Sequence, residues 1–530
     1  MNEGAYAGQS SGVRQESRRQ IWSFAMGYLV VLFFALVLVA LAWRSNGNGF
    51  SIAIAALIFT VGAWIVHPIV GLNLTVFFTL VGDSMSAPWF PFAKNLSSKE
   101  SLLFISRQLT ITPLEITLVI GLCSVVIRAI ASRETRVVFG PLTGPLVAFS
   151  AFVLFGLLHG IGAGGSARVA VYEVRGLVYL PIVYFLVSNV CRTAPQFRRV
   201  LWFAMFGILG QSLFSLQYYG TLSRTAKDGL ESLGEHGASI VANVLILFFI
   251  ANCLFKSSSI NRRLVLGLML VPTMWVYFIA RRRAAIVSLA IGLIVLFVVL
   301  FWRQRHTFWK VVPVFTIVAL GYVGAFWNST SGEAFPAQAV KTVISPNSVN
   351  VRDKSSDLYR QIENYDLNYT IRQSPVTGLG FGQRFYRPVG LPDISFFEFY
   401  EYLPHNSILW IWIKMGIFGF ISMLFLFSRA LTLGAQKIRR MVSGQDVALV
   451  IVSTVFVAMY IVYSFVDIAW DPRNIVVVGF AFAVCANFPA EMVETAEPTS
   501  RSIPNSRVER RRFNEPASSS AEARRATVGG

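Results

Sequence analysis

Uninterrupted apolar runs of roughly 20 residues recur along this chain, the length an α-helix needs to cross a bilayer core. Ile21 to Trp43 and Ala284 to Trp302 carry no charged residue at all. In hydrocarbon every backbone N–H and C=O needs a partner within the protein, so such runs are helices. Composition agrees, since 55% of the 530 residues are hydrophobic and 14% charged, too little charge to cover a soluble protein of this size. The expected fold class is all-α, a polytopic integral membrane helical bundle with one large extracytoplasmic loop.

Spans fall near 21–43, 51–66, 68–83, 111–130, 141–160, 169–190, 200–220, 236–255, 264–280, 284–302, 311–327, 406–428, 446–466 and 474–490, about 14, with 12–13 as the alternative count. Ser51 to Val81 is too long for one span and short for two. His67-Pro68 divides it, because proline removes a helix donor and clashes with the preceding turn. Ala40-Leu41-Ala42 resembles a signal-peptidase site, but the run before it exceeds the roughly 7–15 residues of a signal core, so an uncleaved first span is expected. With two helices in 51–81, Arg133/Arg136, Arg192/Arg198/Arg199, Lys256/Arg262/Arg263, Arg303/Arg305/Lys310 and Lys437/Arg439/Arg440 all fall on the inner side. The expected organisation is a basic cytoplasmic tail (1–20), a first bundle segment (21–327), the large outer loop (328–404), a second bundle segment (405–490) and a disordered Ser/Ala-rich cytoplasmic tail (491–530). Both termini are then cytoplasmic.

The formal net charge of +19 raises nucleic acid as a partner, but the basic residues sit in short loops and tails, the pattern of topogenic and lipid-contacting charge. No nucleic-acid partner is expected, and membrane lipids are. Cys123, Cys191, Cys253 and Cys485 lie in or beside spans without metal spacing and read as packing residues.

Two features stand out on the outer side. One is the loop from Asn328 to Pro404, far longer than any other connection. The other is a short turn holding Arg281, Arg282 and Arg283, which breaks the positive-inside trend and points to an anionic ligand. The loop carries Arg352, Arg360, Arg372, Arg384 and Arg387, with a helix expected over Asp357–Ile371 and Pro375 beyond its end. Gly378, Gly380 and Gly382 mark a tight turn, and without a Walker or Rossmann context they do not indicate nucleotide binding. In "DISFFEFYEYLPHN" the aromatics, among them Tyr400, fit either an interfacial belt or sugar stacking. Asp393, Glu398 and Glu401 would then accept hydroxyl hydrogen bonds. His405 follows Pro404, and Asn406 or Ser407 is placed to cap the incoming helix. The positive end of that helix disfavours imidazolium, so His405 reads as a neutral base. A base, an arginine cluster and a bent loop on one membrane face suit transfer from a lipid-linked phosphate donor to an acceptor hydroxyl, with arginine forks on pyrophosphate oxygens. No carboxylate cluster suggests a metal, and no cofactor is expected.

Three segments in order resemble the O-antigen ligase and polymerase superfamily of membrane glycosyltransferases. "RRRAAIVSLAIG" is similar to the family's Ser-Arg-Gly-Ala-apolar span start, with Arg283 at the arginine. "R…SPVTGLGFG" is similar to its outer-loop signature, with Arg360 as the preceding arginine. "HNSILWIWIKMGIFG" is similar to its His-Asn-x-x-Leu span, with His405, Asn406, Leu409, Gly416 and Gly419 in place. The resemblance covers roughly 280–420. It implies metal-independent transfer from an undecaprenyl-pyrophosphate-linked glycan on the outer face of the inner membrane. His405 would activate the acceptor hydroxyl, on a glycan or lipid A-core, while Arg283 and Arg360, with Arg282, Arg281 and Arg352 nearby, would hold the donor pyrophosphate. Glu398, Glu401, Tyr400 and Asn406 are the candidate glycan contacts. Polysaccharide export or chain-length proteins are the companions such an enzyme implies. Arg282 replaces the family's serine, and Lys414 stands where the family often has an acid, on a helix face turned away from His405. Ligase and polymerase share these motifs. A bicarbonate-type transporter and a non-catalytic export-complex subunit are the competing classes.

Overall fold

The computed structural model describes residues 49–131, 136–228, 230, 232–329, 332–345, 351–392, 399–442, 444 and 446–489. The expected first span (21–43) and both tails lie outside them. The described residues form helices α1 (Gly49–Val66), α2 (Pro68–Val81), α3 (Pro113–Ala131), α4 (Thr143–Gly162), α5 (Ala167–Val190), α6 (Ala194–Thr221), α7 (Arg224–Asp228), α8 (His236–Leu254), α9 (Ile260–Ala280), α10 (Arg283–Arg303), α11 (Arg305–Ala325), α12 (Phe335–Ile344), α13 (Val351–Gln373), α14 (Ser407–Arg440), α15 (Val447–Val466) and α16 (Pro472–Asn487). Among the described residues, 11 helices are long and apolar enough to cross a membrane, and α2 and α16 are shorter apolar helices. These 13 correspond one for one to the expected spans after the first. The chain is a multi-pass helical membrane protein.

Pro68 at the first turn of α2 breaks Ser51–Val81 into the expected pair. The two helices fold back on each other, and Trp64 Nε1 donates to Thr75 Oγ1 at 2.9 Å. Burial separates helices of like composition. α15 and α8 are each 72% buried across their most apolar window, whereas α11 is 0% buried. A helix apolar on every side fits either setting, protein interior or lipid. Because lipid tails are as apolar as leucine, helices associate here by close packing, with small residues letting backbones approach. Gly434 of α14, facing Thr454 of α15, is such a contact.

The described part of the large loop contains two α-helices, α12 and α13. α13 begins at Val351, one and a half turns earlier than the expected start at Asp357. Its inner face, with Leu367 and Ile371, packs with Phe385 and Ile413 onto the start of α14.

Candidate functional site

His405 stands just before α14, whose N-cap is Asn406, with the Asn406 side chain accepting from Leu409 N. The ring meets a carboxylate from the loop helix. Glu363 of α13, 2% exposed, accepts from His405 N at 3.0 Å and lies 3.2 Å from Nδ1. A carboxylate that accepts at Nδ1 selects, for the neutral ring, the tautomer with its proton on Nδ1 and its lone pair on Nε2. The orientation of the ring is thus set by Glu363 rather than by the helix terminus alone. Tyr359, one turn before Glu363, lies edge-on to the imidazole with ring centroids 5.6 Å apart. Burial, and then the Glu363 charge, push its phenol well above the usual range. Its buried hydroxyl has no hydrogen-bond partner among the described residues.

A second histidine faces the first. His236, first residue of α8, has its ring centroid 6.2 Å from that of His405. Its Nδ1 lies 2.7 Å from Asp467, which follows α15 and is 2% exposed. Burial raises the Asp467 carboxyl, but the charge and hydrogen bond of His236, then Arg360 and His405, outweigh it and hold the group well below the usual carboxylate range. Ser407 Oγ donates to Asp467 O and accepts from Ala469 N, both at 3.0 Å, which ties this turn to the start of α14. Arg282 lies over the His236 ring, Nη1 being 3.4 Å from both ring nitrogens, and Nη2 donates to Gly234 O at 3.2 Å. Arg360 carries its charge towards Asp467 and forms no hydrogen bond or ion pair among the described residues. Beside this corner, Arg473 of α16 pairs with Asp83 at 2.9 Å and with Glu235.

The other expected site residues are placed as follows. Arg283 bonds Asp357 of α13 at 2.9 Å, joining α10 to the loop helix. Arg281 is exposed, with a left-handed backbone (φ 49) that ends α9. Arg352 falls on the first turn of α13, with its side chain outside the described residues, and Glu398 lies outside them altogether. Glu401 is ion-paired with Arg384 at 3.0 Å and with Arg387. Tyr400 lies beneath the Arg387 guanidinium, 5.4 Å from ring centroid to carbon. Asn406, besides capping α14, donates to Asn364 Oδ1 at 3.0 Å. The structure therefore brings His405, Arg282 and Arg360 to one corner and builds Arg283, Glu401 and Asn406 into the frame around it.

The glycine turn forms part of that frame. Leu379 N donates to Ile413 O at 2.6 Å, Phe381 N to Gly156 O at 3.0 Å, and Gly382 N to Glu173 Oε2 at 2.5 Å. A loop whose amides are taken by the protein itself cannot cradle a phosphate with them. Its glycines serve close approach, since a Cβ on Gly380 (φ +84) would lie 2.3 Å from Gly160 Cα. Below the turn, Lys414 of α14 and Glu173 of α5 form a buried ion pair at 2.8 Å, both side chains 0% exposed.

Sequence reasoning missed His236, Asp467 and Glu363, although signals for each were present. "EHGASIV" and "VDIAWDPRN" sit at span ends on the same threaded side as His405. Glu363 lies three residues after Arg360 on a helix the sequence did suggest, and i,i+3 neighbours share a helix face. Among the described residues no three His, Cys, Asp or Glu side chains are grouped to hold a metal ion.

Fold and site together define a multi-pass membrane protein with a histidine–carboxylate and arginine centre at one end of its helices. Residues 245–424 match the family model described as O-antigen ligase, a segment that includes all three motifs. The chain thus resembles the O-antigen ligase and polymerase superfamily, whose members are glycosyltransferase-like enzymes acting on lipid-linked glycan and acceptor substrates. No curated protein matches the chain.

Proposed function

We propose that this protein transfers or polymerises glycan from an undecaprenyl-pyrophosphate-linked donor onto an acceptor hydroxyl at the outer face of the inner membrane, both termini being cytoplasmic. The observation that carries this reading is His405, held through Nδ1 by buried Glu363, in the same corner as Arg360, which makes no hydrogen bond or ion pair among the described residues. In the reaction the anomeric carbon–oxygen bond to phosphate breaks and its electron pair leaves with the pyrophosphate. The acceptor oxygen bonds the anomeric carbon, and its proton passes to His405 Nε2. Arg360 and Arg282 neutralise the charge on the leaving pyrophosphate, the role a metal ion plays elsewhere, so the transfer is metal-independent. His236, oriented by Asp467 behind it, lines the leaving-group side. Arg283 acts through Asp357 by fixing α13, which carries Tyr359, Arg360 and Glu363. The acceptor is a growing glycan or lipid A-core.

The arrangement favours a transferase over a transporter. A transporter site is expected near the bilayer midplane, whereas His405, His236 and Arg282 stand at the starts of α14, α8 and α10.

A glycan gel from a deletion strain complemented with wild type or His405→Ala tests the reading. The variant is expected to insert normally and to lose surface glycan by about 100-fold or more, the scale of a missing general base. Full restoration removes His405 from the mechanism. In the deletion strain itself, long lipid-linked chains identify a ligase and single repeat units a polymerase.

A further inference from the structure

The helix ends opposite His405 hold a second group of arginines, which the reaction above does not use. They surround a pocket of about 200 Å³ bounded by the starts of α2 and α6, the end of α3, residues 136–137 and the end of α5. Arg128, Arg136 and Arg192 line it. Arg128 Nη2 donates to the last carbonyls of α1, Ile65 O at 2.5 Å and Val66 O at 2.9 Å. Arg192 Nη2 donates to Arg136 O at 2.8 Å and reaches Asn189 Oδ1 at 3.3 Å. Asn189 in turn pairs with the backbone of Val138 through both its amide atoms, so the walls are fixed by hydrogen bonds. The Arg136 side chain is exposed and makes no hydrogen bond among the described residues. No carboxylate among the described residues pairs with any of the three.

Topogenic charge alone does not require this arrangement. The positive-inside trend needs basic residues near a span end, not guanidiniums held by backbone carbonyls around one concavity. Beside the concavity lies a strip of exposed apolar side chains, with Ile65 61%, Ile127 63%, Ile130 80% and Phe139 71% exposed. On a membrane-spanning helix such residues face lipid tails. A cationic pocket with an apolar strip at its mouth matches the two halves of one molecule.

We propose that this pocket binds the phosphodiester headgroup of an anionic phospholipid, with the acyl chains lying along Ile65, Ile127 and Ile130. The ammonium of a zwitterionic headgroup would meet guanidinium charge there, with no carboxylate among the described residues to pair with. The lipid would join α1, α3 and α5 at the end of the bundle remote from the transfer site, and the proposal is independent of the transfer chemistry.

The test uses the full-length protein, delipidated in detergent and titrated with phosphatidylglycerol, phosphatidylcholine or inorganic phosphate while bound species are counted by native mass spectrometry. Phosphatidylglycerol is expected to bind in preference to phosphatidylcholine. Arg136→Gln should weaken it about fivefold, the scale of one basic residue at an anionic lipid surface. Because Arg136 makes no side-chain hydrogen bond among the described residues, the lipid-free melting temperature of R136Q should equal that of the wild type. Equal binding of the two lipids, or unchanged phosphatidylglycerol binding by R136Q, overturns the proposal. Inorganic phosphate occupying the site as tightly as the lipid also overturns it, because the pocket would then be a free-anion site.

Discussion

Two polar clusters flank the start of α14, and they are built on opposite plans. In the Lys414–Glu173 clamp every group is satisfied. Glu173 accepts from Lys414, Gly382 N and Trp410 Nε1, and Lys414 also donates to Gln383 O. At the His405 corner capacity is left open among the described residues, in a histidine with one ring nitrogen without a partner, a buried tyrosine hydroxyl without one and an arginine in no hydrogen bond or ion pair. A closed network in low dielectric rigidifies its surroundings, whereas open valences are costly unless a substrate completes them. The clamp holds the glycine turn and the head of α14 together, and the corner presents what that rigidity positions.

The widest separation between the two should appear in stability. Lys414→Met alone leaves Glu173 as an unpaired buried charge and should cost about 3–5 kcal/mol of stability, read as a lowered thermal midpoint in detergent. Adding Glu173→Gln, which keeps an acceptor for Gly382 N, should recover most of that loss. If K414M alone melts like wild type, the clamp is not structural. Next comes Arg360→Gln. It should leave the melting curve intact and lower glycan transfer by about 100-fold, equivalent to about 2.7 kcal/mol of transition-state stabilisation. Equal loss of folding and activity would erase the distinction between the two clusters.

The smallest effect concerns Asp471, the N-cap of α16, which accepts from Arg473 N and Asn474 N. Burial raises its carboxyl from 3.8 to about 7. The folded state therefore binds the proton more tightly than the unfolded chain does. The stability it contributes is complete below about 3.8 and is lost as pH rises through about 7. Asp471→Asn keeps a capping oxygen and removes the titration, so the melting temperature of the variant should change less between pH 5 and pH 8 than that of the wild type. An unchanged pH slope would show that Asp471 is not the group responsible.

The spans were legible because lipid leaves the backbone one local solution, and the break at Pro68 because proline lacks the donor that would continue the preceding helix. Burial was not, since α11 and α15 are both apolar all round while only α15 is enclosed. His405 could be found because it stands at a span start. His236 stands in the same kind of place and could have been found the same way. The partners of Arg283 and Lys414, Asp357 and Glu173, are distant in sequence, and no local pattern links them. The glycines of 378–382 announced a turn, but only the approach of Gly156, Gly160 and Ile413 explains why no larger residue fits there. Glu401 and Asn406 are candidate glycan contacts in the sequence, and their pairings with Arg384, Arg387 and Asn364 join residues that no local pattern links.

The discontinuity in α14 bears on how the chain is assembled. Gly416 has a non-helical backbone (φ 68, ψ −174), and at this break Ile413 O and Ile417 N bond Leu379 N and Pro375 O of the preceding loop. Backbone groups left unmatched in hydrocarbon cost several kcal/mol each. The span after the loop therefore does not complete its own ladder and depends on backbone groups of the loop that precedes it. Truncations within 374–383 should therefore lower the amount of stably integrated protein before they can be scored for glycan transfer.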